Sequence, residues 1–166
     1  MIFGDQSTFA IACDIRSNDG KYTFVMGNFW IGGERVGAPD EVMLLSALAM
    51  VLEDFVERKA ERVSEAMFVA ERETLLGDLK AMIYDGVAPG GSRHVLQRTF
   101  VLCPNGCEAF DGWFAVVVEN KERRQRLVWS KSQDARSANE IVLADGTVEQ
   151  VMNLFLTWGR TASRRT

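Results

Sequence analysis

Histidine is almost absent from this chain of 166 residues, in which His94 is the single instance. Zinc sites rich in histidine, His-Glu-x-x-His hydrolases and paired-histidine relays all need residues that the sequence lacks. Histidine, the commonest general base at neutral pH, is therefore available at one position only. This shortage favours a binding protein over an enzyme.

Cysteine and long apolar runs are also scarce. Three cysteines cannot all pair within one chain, which fits a reducing cytoplasm better than an oxidising compartment. No apolar run has the length that crossing a bilayer requires, and residues 1–5 lack the basic region that precedes the apolar part of a secretory signal. We therefore expect a cytoplasmic protein with no membrane partner.

The residues that are present suit one folded domain. The chain is 47% hydrophobic and contains ten Phe and four Trp, so it can bury a core and is not intrinsically disordered. We expect a single domain over residues 1–166, with about residues 160–166 as a flexible basic tail.

The net charge of -4 conceals an acidic middle segment. Residues 40–85 carry eleven acids and five bases, whereas residues 86–166 carry eight acids and eleven bases. Most of these bases lie in the segment 121–126 and in the tail, and we interpret them as a solvated hairpin tip and a frayed terminus. The overall balance opposes nucleic-acid binding.

The first part of the chain has the pattern of a three-stranded meander. Apolar residues alternate with other residues over 9–15, which predicts a strand with one buried face. Asp19-Gly20 predicts a hairpin turn into a second strand, 22–31, which is apolar on both faces and therefore central. Residues 34–37 follow the turn at Gly32-Gly33 as a short third strand.

Helical spacing begins after this meander. Asp40 is a predicted N-cap for a helix that runs to about Lys59, and a second helix is predicted from about Ala70 to before Gly86. A capping box formed by Thr147 and Gln150 predicts the final helix.

Further strands are predicted between these helices. The segments concerned are 95–102, 113–118, 126–129 and 141–143. The order of elements predicts an α+β fold, with a mainly antiparallel sheet of about six to seven strands packed by two to three helices.

Cys103 and Cys107 form the most reactive-looking segment. Two thiolates at the ends of a turn could hold a metal or form a disulfide, but a zinc site needs four ligands. Only Cys13 and His94 remain as soft donors, at no zinc-motif spacing, and no local signature supports a Cys–His nucleophile pair. We interpret these cysteines as ordinary thiols, and we predict no catalytic residue, no cofactor and no metal.

Three parts of the chain, the third of them in two pieces, carry a resemblance to a known family. They are Met-Ile-Phe-Gly-Asp-Gln-Ser-Thr-Phe-Ala-Ile at 1–11, Gly-Asn-Phe-Trp-Ile-Gly-Gly-Glu-Arg-Val-Gly at 27–37, and Phe-Asp-Gly-Trp-Phe at 110–114 followed by Arg-Leu-Val-Trp at 126–129. Together, and in this order, they resemble the immunity 42 family of bacterial polymorphic toxin systems. None of the three is a catalytic signature.

The resemblance implies a cytoplasmic protein that binds one cognate toxin domain and blocks it, with no chemistry of its own. It supplies no contact residues, because the residues that touch a toxin vary with the toxin. From the acidic middle segment we predict Glu53, Asp54, Glu57 and Glu61 as toxin-binding candidates, since an acidic helix face could meet a basic toxin.

Two other functions remain open at this point. A small acidic α+β protein could instead be a secretion chaperone or adaptor for an effector protein, or a small enzyme that uses Cys103 or Cys107. The sequence does not reveal the toxin, the face that binds it, any redox or metal role of these cysteines, or the oligomeric state, a homo-oligomer included.

Overall fold

The computed structural model describes residues 1–86, 92–104, 107–131 and 137–162. Within them, eight strands form two antiparallel sheets accompanied by five α-helices, so the predicted α+β class is confirmed. The strands and helices outnumber those predicted because several elements have only three to nine residues, too few for a clear periodicity.

The chain divides into two compact units. The first unit comprises Met1–Val56, Pro104–Asp111 and Gly146–Thr166, and the second comprises Glu57–Cys103 and Gly112–Asp145. Each unit contains one of the sheets. The expectation of a single domain over 1–166 stays a prediction.

The first sheet is built around one central strand. That strand, β3, pairs along one side with β2, while β4 and β5 share its other side at residues 29–31 and 24–26. This pairing confirms the predicted meander and the central place of β3. The strands are β1 (Ile2–Asp5), β2 (Phe9–Asn18), β3 (Thr23–Ile31), β4 (Glu34–Val36) and β5 (Val42–Leu44).

Helices α1 (Leu45–Glu57) and α5 (Thr147–Ala162) complete the core of the first unit. A Cβ atom built on Gly159 of α5 would lie 3.6 Å from the side chain of Leu45, so the two helices approach each other closely there. Helix α5 extends through Ala162, and the rest of the predicted tail, 163–166, lies outside the described residues.

The predicted N-cap at Asp40 is wrong, because the helix begins later. Residues 42–44 form β5, in which Met43 is buried and pairs with Val25. Helical spacing alone assigns residues 42–44 to the helix. They pair instead with the edge of β3 as a short strand.

In the second unit, three helices pack on one face of a three-stranded sheet. The sheet order is β6–β7–β8, and every pairing is antiparallel. Apolar side chains of α3 and α4 meet alternate residues of β6, and Val128 of β7, in one core. The elements are β6 (Trp113–Glu119), β7 (Gln125–Lys131), β8 (Asn139–Leu143), α2 (Glu65–Val69), α3 (Arg72–Tyr84) and α4 (Ser92–Phe100).

The predicted strand over 95–102 is wrong, since this segment is mainly the helix α4. Leu96 and Phe100, four residues apart, both face the core of the second unit, as a helix allows. Only Val101, just beyond the helix, makes a strand-like bridge, to Val116. Within the described ranges, no helix combines the length and apolarity needed to cross a bilayer.

Candidate functional site

Glu53 and Glu61, both predicted to bind the toxin, have partners within the chain. Glu53 on α1 forms an exposed ion pair with Arg160 on α5, with 2.9 Å between Oε1 and Nη2. Glu61 lies in a short 3-10 helix, Lys59–Arg62, where its carboxylate is 3.0 Å from Arg58 Nη1 and accepts a hydrogen bond from Thr99 Oγ1 at 3.1 Å. Both carboxylates are therefore partly neutralised.

The other two candidates lie on α1 and differ in exposure. Asp54 is half-buried, whereas Glu57, the last residue of the helix, is exposed. Glu53 and Asp54 belong to the first unit, while Glu57 and Glu61 belong to the second. Their role in binding a toxin stays a prediction.

The three thiols are buried and suited to a structural role. Burial raises the pKa of Cys13 and of Cys103 to about 12 and also raises the pKa of Cys107. Because the thiolate is the reactive form, these side chains are poor nucleophiles at neutral pH. His94, the one histidine, is exposed on α4.

In the parts of the chain that the structure describes, no group of three or more His, Cys, Asp and Glu side chains could hold a metal ion. The predictions that the protein uses neither a metal nor a cofactor stay predictions.

A fully buried ion pair is a feature that the sequence patterns missed. Arg62 and Glu119 both have no exposed side-chain surface, with 3.8 Å between Nε and Oε1. Gln125 donates a hydrogen bond to the same carboxylate at 2.9 Å, and Arg123 Nη1 approaches its second oxygen at 3.8 Å. Glu119 thus sits among one buried cation, one exposed cation and one amide.

In the basic segment 121–126, interpreted as a solvated hairpin tip, Lys121, Arg123 and Arg124 are exposed, whereas Arg126 is not. Its side chain is buried, and Nη1 donates to the carbonyl oxygens of Phe68 and Ala70 at 2.7 Å each. Nε donates to Glu140 at 2.9 Å. The carbonyl groups at the carboxyl end of α2 and the carboxylate of Glu140 on β8 together balance the charge of Arg126. The periodicity of the sequence does not reveal these contacts.

Similarity to known proteins identifies the family of this chain. The sequence model of the family described as immunity protein 42 matches residues 1–158. This chain belongs to the immunity protein 42 family. The resemblance seen in the sequence is thereby confirmed, and the family supports an immunity role.

A solved structure shares the fold of this family member. It is CdiI from Burkholderia dolosa AUO158, with a TM-score of 0.75 and 19% sequence identity, and the match covers 95% of this chain and 99% of that one. At this identity the likeness shows the fold alone. A search of curated protein sequences gives no match.

Proposed function

We propose that this chain is a cytoplasmic immunity protein that binds a cognate toxin domain and neutralises it by forming a complex, without catalysis. Membership of the immunity protein 42 family, with a match over residues 1–158, carries this proposal. The protein is then a binding partner, and its functional site is a surface.

The placement of the reactive side chains supports a function without chemistry. All three thiols are buried, the pKa of two of them is raised to about 12, and His94 lies exposed on a helix. A Cys–His pair requires a thiol and an imidazole within hydrogen-bonding reach and a low thiol pKa. Burial of the thiols works against such a nucleophile.

Charge provides a reason for fast capture of a toxin. The segment 40–85 has an excess of six acids over bases, and long-range attraction of this kind accelerates association with a basic partner. Among the predicted contacts, Glu57 is exposed on α1, whereas Glu53 and Glu61 would exchange an internal ion pair for one with the toxin.

Co-expression with the toxin domain encoded by the gene directly upstream tests the proposal. We expect growth to be rescued and the two proteins to purify as a complex in which the toxin is inactive. Failure of both rescue and co-purification would contradict the function. A complex whose toxin stays active, and whose export depends on this chain, would instead establish the secretion chaperone or adaptor.

The enzyme alternative is tested by removing the thiols of Cys103 and Cys107. A double Cys103→Ser/Cys107→Ser variant should still protect cells, because a protonated buried thiol contributes packing and not reactivity. Protein levels in the soluble fraction serve as the control for folding. Loss of protection at an unchanged protein level would favour an enzyme.

A further inference from the structure

The two faces of β3 in the first unit differ in exposure. The odd-numbered residues of this strand are buried, whereas the even-numbered residues are all partly exposed. Helix α1 covers the buried face, where a Cβ atom built on Gly27 would lie 3.6 Å from the side chain of Leu48. The partly exposed residues define what we call the outer face of the first sheet. They are Phe24, Met26, Asn28 and Trp30.

The outer face is mainly apolar and continues onto β5. Val42 of β5 is paired with Met26, and Leu44 is paired with Phe24, so these side chains lie on the same face. Val42 is 48% exposed. Large apolar side chains that remain accessible on one face of a sheet are typical of a protein-binding surface.

Arg35 adds a cation to this face. It lies on β4 directly opposite Trp30, so the two side chains share the outer face. The guanidinium carbon of Arg35 is 5.0 Å from the centre of the Trp30 ring, which is a cation–π contact. Because Arg35 is exposed, the contact orients the guanidinium while leaving its N–H groups accessible to a partner.

The charge of Arg35 is not balanced within the described chain. Across the described ranges, its side chain makes neither an ion pair nor a hydrogen bond. Glu34 is adjacent, but successive residues of a strand point to opposite faces. Asp14 lies on the outer face, opposite Met26, yet its carboxylate is 2.6 Å from the amine of Met1. The guanidinium is therefore available to a carboxylate of another molecule.

We propose that the toxin domain binds the outer face of the first sheet through an apolar surface that carries an Asp or Glu side chain, which pairs with Arg35 beside Trp30. The partner chemistry follows from charge complementarity, since a guanidinium donates two parallel hydrogen bonds to a carboxylate. Arginine and tryptophan are also among the residues that contribute most to binding at protein interfaces. This inference rests on the proposed immunity function and adds a surface other than that of Glu53 and Asp54 on α1.

A second copy of this chain fits the outer face less well than a toxin does. Two copies packed face to face would bring Asp14 as the carboxylate for Arg35, and Met1 already binds Asp14. Both Arg35 side chains would then be enclosed in an apolar interface, where a charge without its partner is costly. A different protein with a free carboxylate avoids this cost.

Replacing Arg35 by Gln tests the contact. Binding of the purified toxin domain that passes the rescue test is measured by calorimetry for wild type, Arg35→Gln and the matched control Lys21→Gln. Lys21 is also an exposed cation above an aromatic ring, with Nζ 5.0 Å from the centre of the Tyr22 ring, but it precedes β3 and so lies at the opposite end of that strand from Trp30.

The two variants should differ in affinity. We expect Kd to rise at least about tenfold for Arg35→Gln, because the carboxylate of the toxin loses its cation, and to stay within about twofold for Lys21→Gln. Unchanged thermal unfolding of each variant shows that the fold is intact.

A cross-linking measurement identifies the group that meets Arg35. Arg35→Lys keeps the positive charge but replaces the guanidinium by an amine, which a carbodiimide joins to a carboxylate in direct contact. We expect mass spectrometry of the cross-linked complex to find position 35 joined to an Asp or Glu of the toxin domain. Wild type, treated in the same way, is the control, since the guanidinium does not react.

The outcomes separate the contact from the function. If wild type binds and protects but Arg35→Gln binds no worse than Lys21→Gln, the contact is wrong and the immunity function stands. Position 35 joined to a second copy of this chain, or cross-links to the toxin that all lie elsewhere, would overturn the toxin as the partner of this face. If wild type neither binds nor protects, the immunity function fails and the contact with it.

Discussion

The two units differ in the number of polar and charged side chains that they bury. Among the described residues, the first unit buries two polar or charged residues, Thr23 and Glu149, and is otherwise apolar inside. The second unit buries seven. They are Arg62, Thr99, Glu119, Asn120, Gln125, Arg126 and Ser130.

Similar antiparallel sheets can therefore depend on unlike interactions. Burial of apolar side chains is nondirectional, so the first unit depends on the shape and close packing of its side chains and not on particular polar pairs. A buried arginine or glutamate instead requires specific partners, because an unpaired charge in an apolar interior is very costly. The second unit therefore has interactions that depend on particular pairs of residues.

Breaking the buried ion pair should have the largest effect. Arg62→Met leaves the Glu119 carboxylate without its buried cation, and we expect the free energy of unfolding to fall by about 3 kcal/mol. Urea denaturation measures this change. The double variant Arg62→Met/Glu119→Gln serves as the control, because it removes both charges and should recover part of the loss. A single variant as stable as wild type would show that the pair contributes nothing.

Breaking the exposed ion pair of the first unit should have the smallest effect. Glu53→Gln removes a pair with Arg160 in which both side chains are exposed to solvent, and we expect stability to change by less than about 0.5 kcal/mol. The same urea measurement is used, with Arg160→Gln as the matched partner variant. A fall in the free energy of unfolding as large as that from Arg62→Met would contradict the proposed difference between the two units.

Sequence patterns predicted the first sheet better than the second unit. The alternation over 9–15 and the Asp19-Gly20 turn act locally, so β2, β3 and their hairpin were predicted correctly. The strand predicted over 95–102 is the helix α4 because nine residues with few apolar positions give a pattern too short to distinguish a helix from a strand. The short strand β5 exists only because it pairs with β3.

The candidate surface shows the same limit. Glu53, Asp54, Glu57 and Glu61 could be selected from the sequence because they lie in an acidic segment with helical spacing. Their partners within the chain could not be predicted, since Arg160 lies far along the chain from Glu53 and Thr99 lies far from Glu61.

The amino-acid sequence is enough to predict the α+β class, the central place of β3 and membership of the immunity protein 42 family. These properties follow from short-range periodicity, turn chemistry and the order of motifs along the chain. Which charges are buried depends instead on how the chain folds in three dimensions. Arg62 lies far along the chain from Glu119, and Arg126 lies far from α2, so their contacts form only when distant segments fold together.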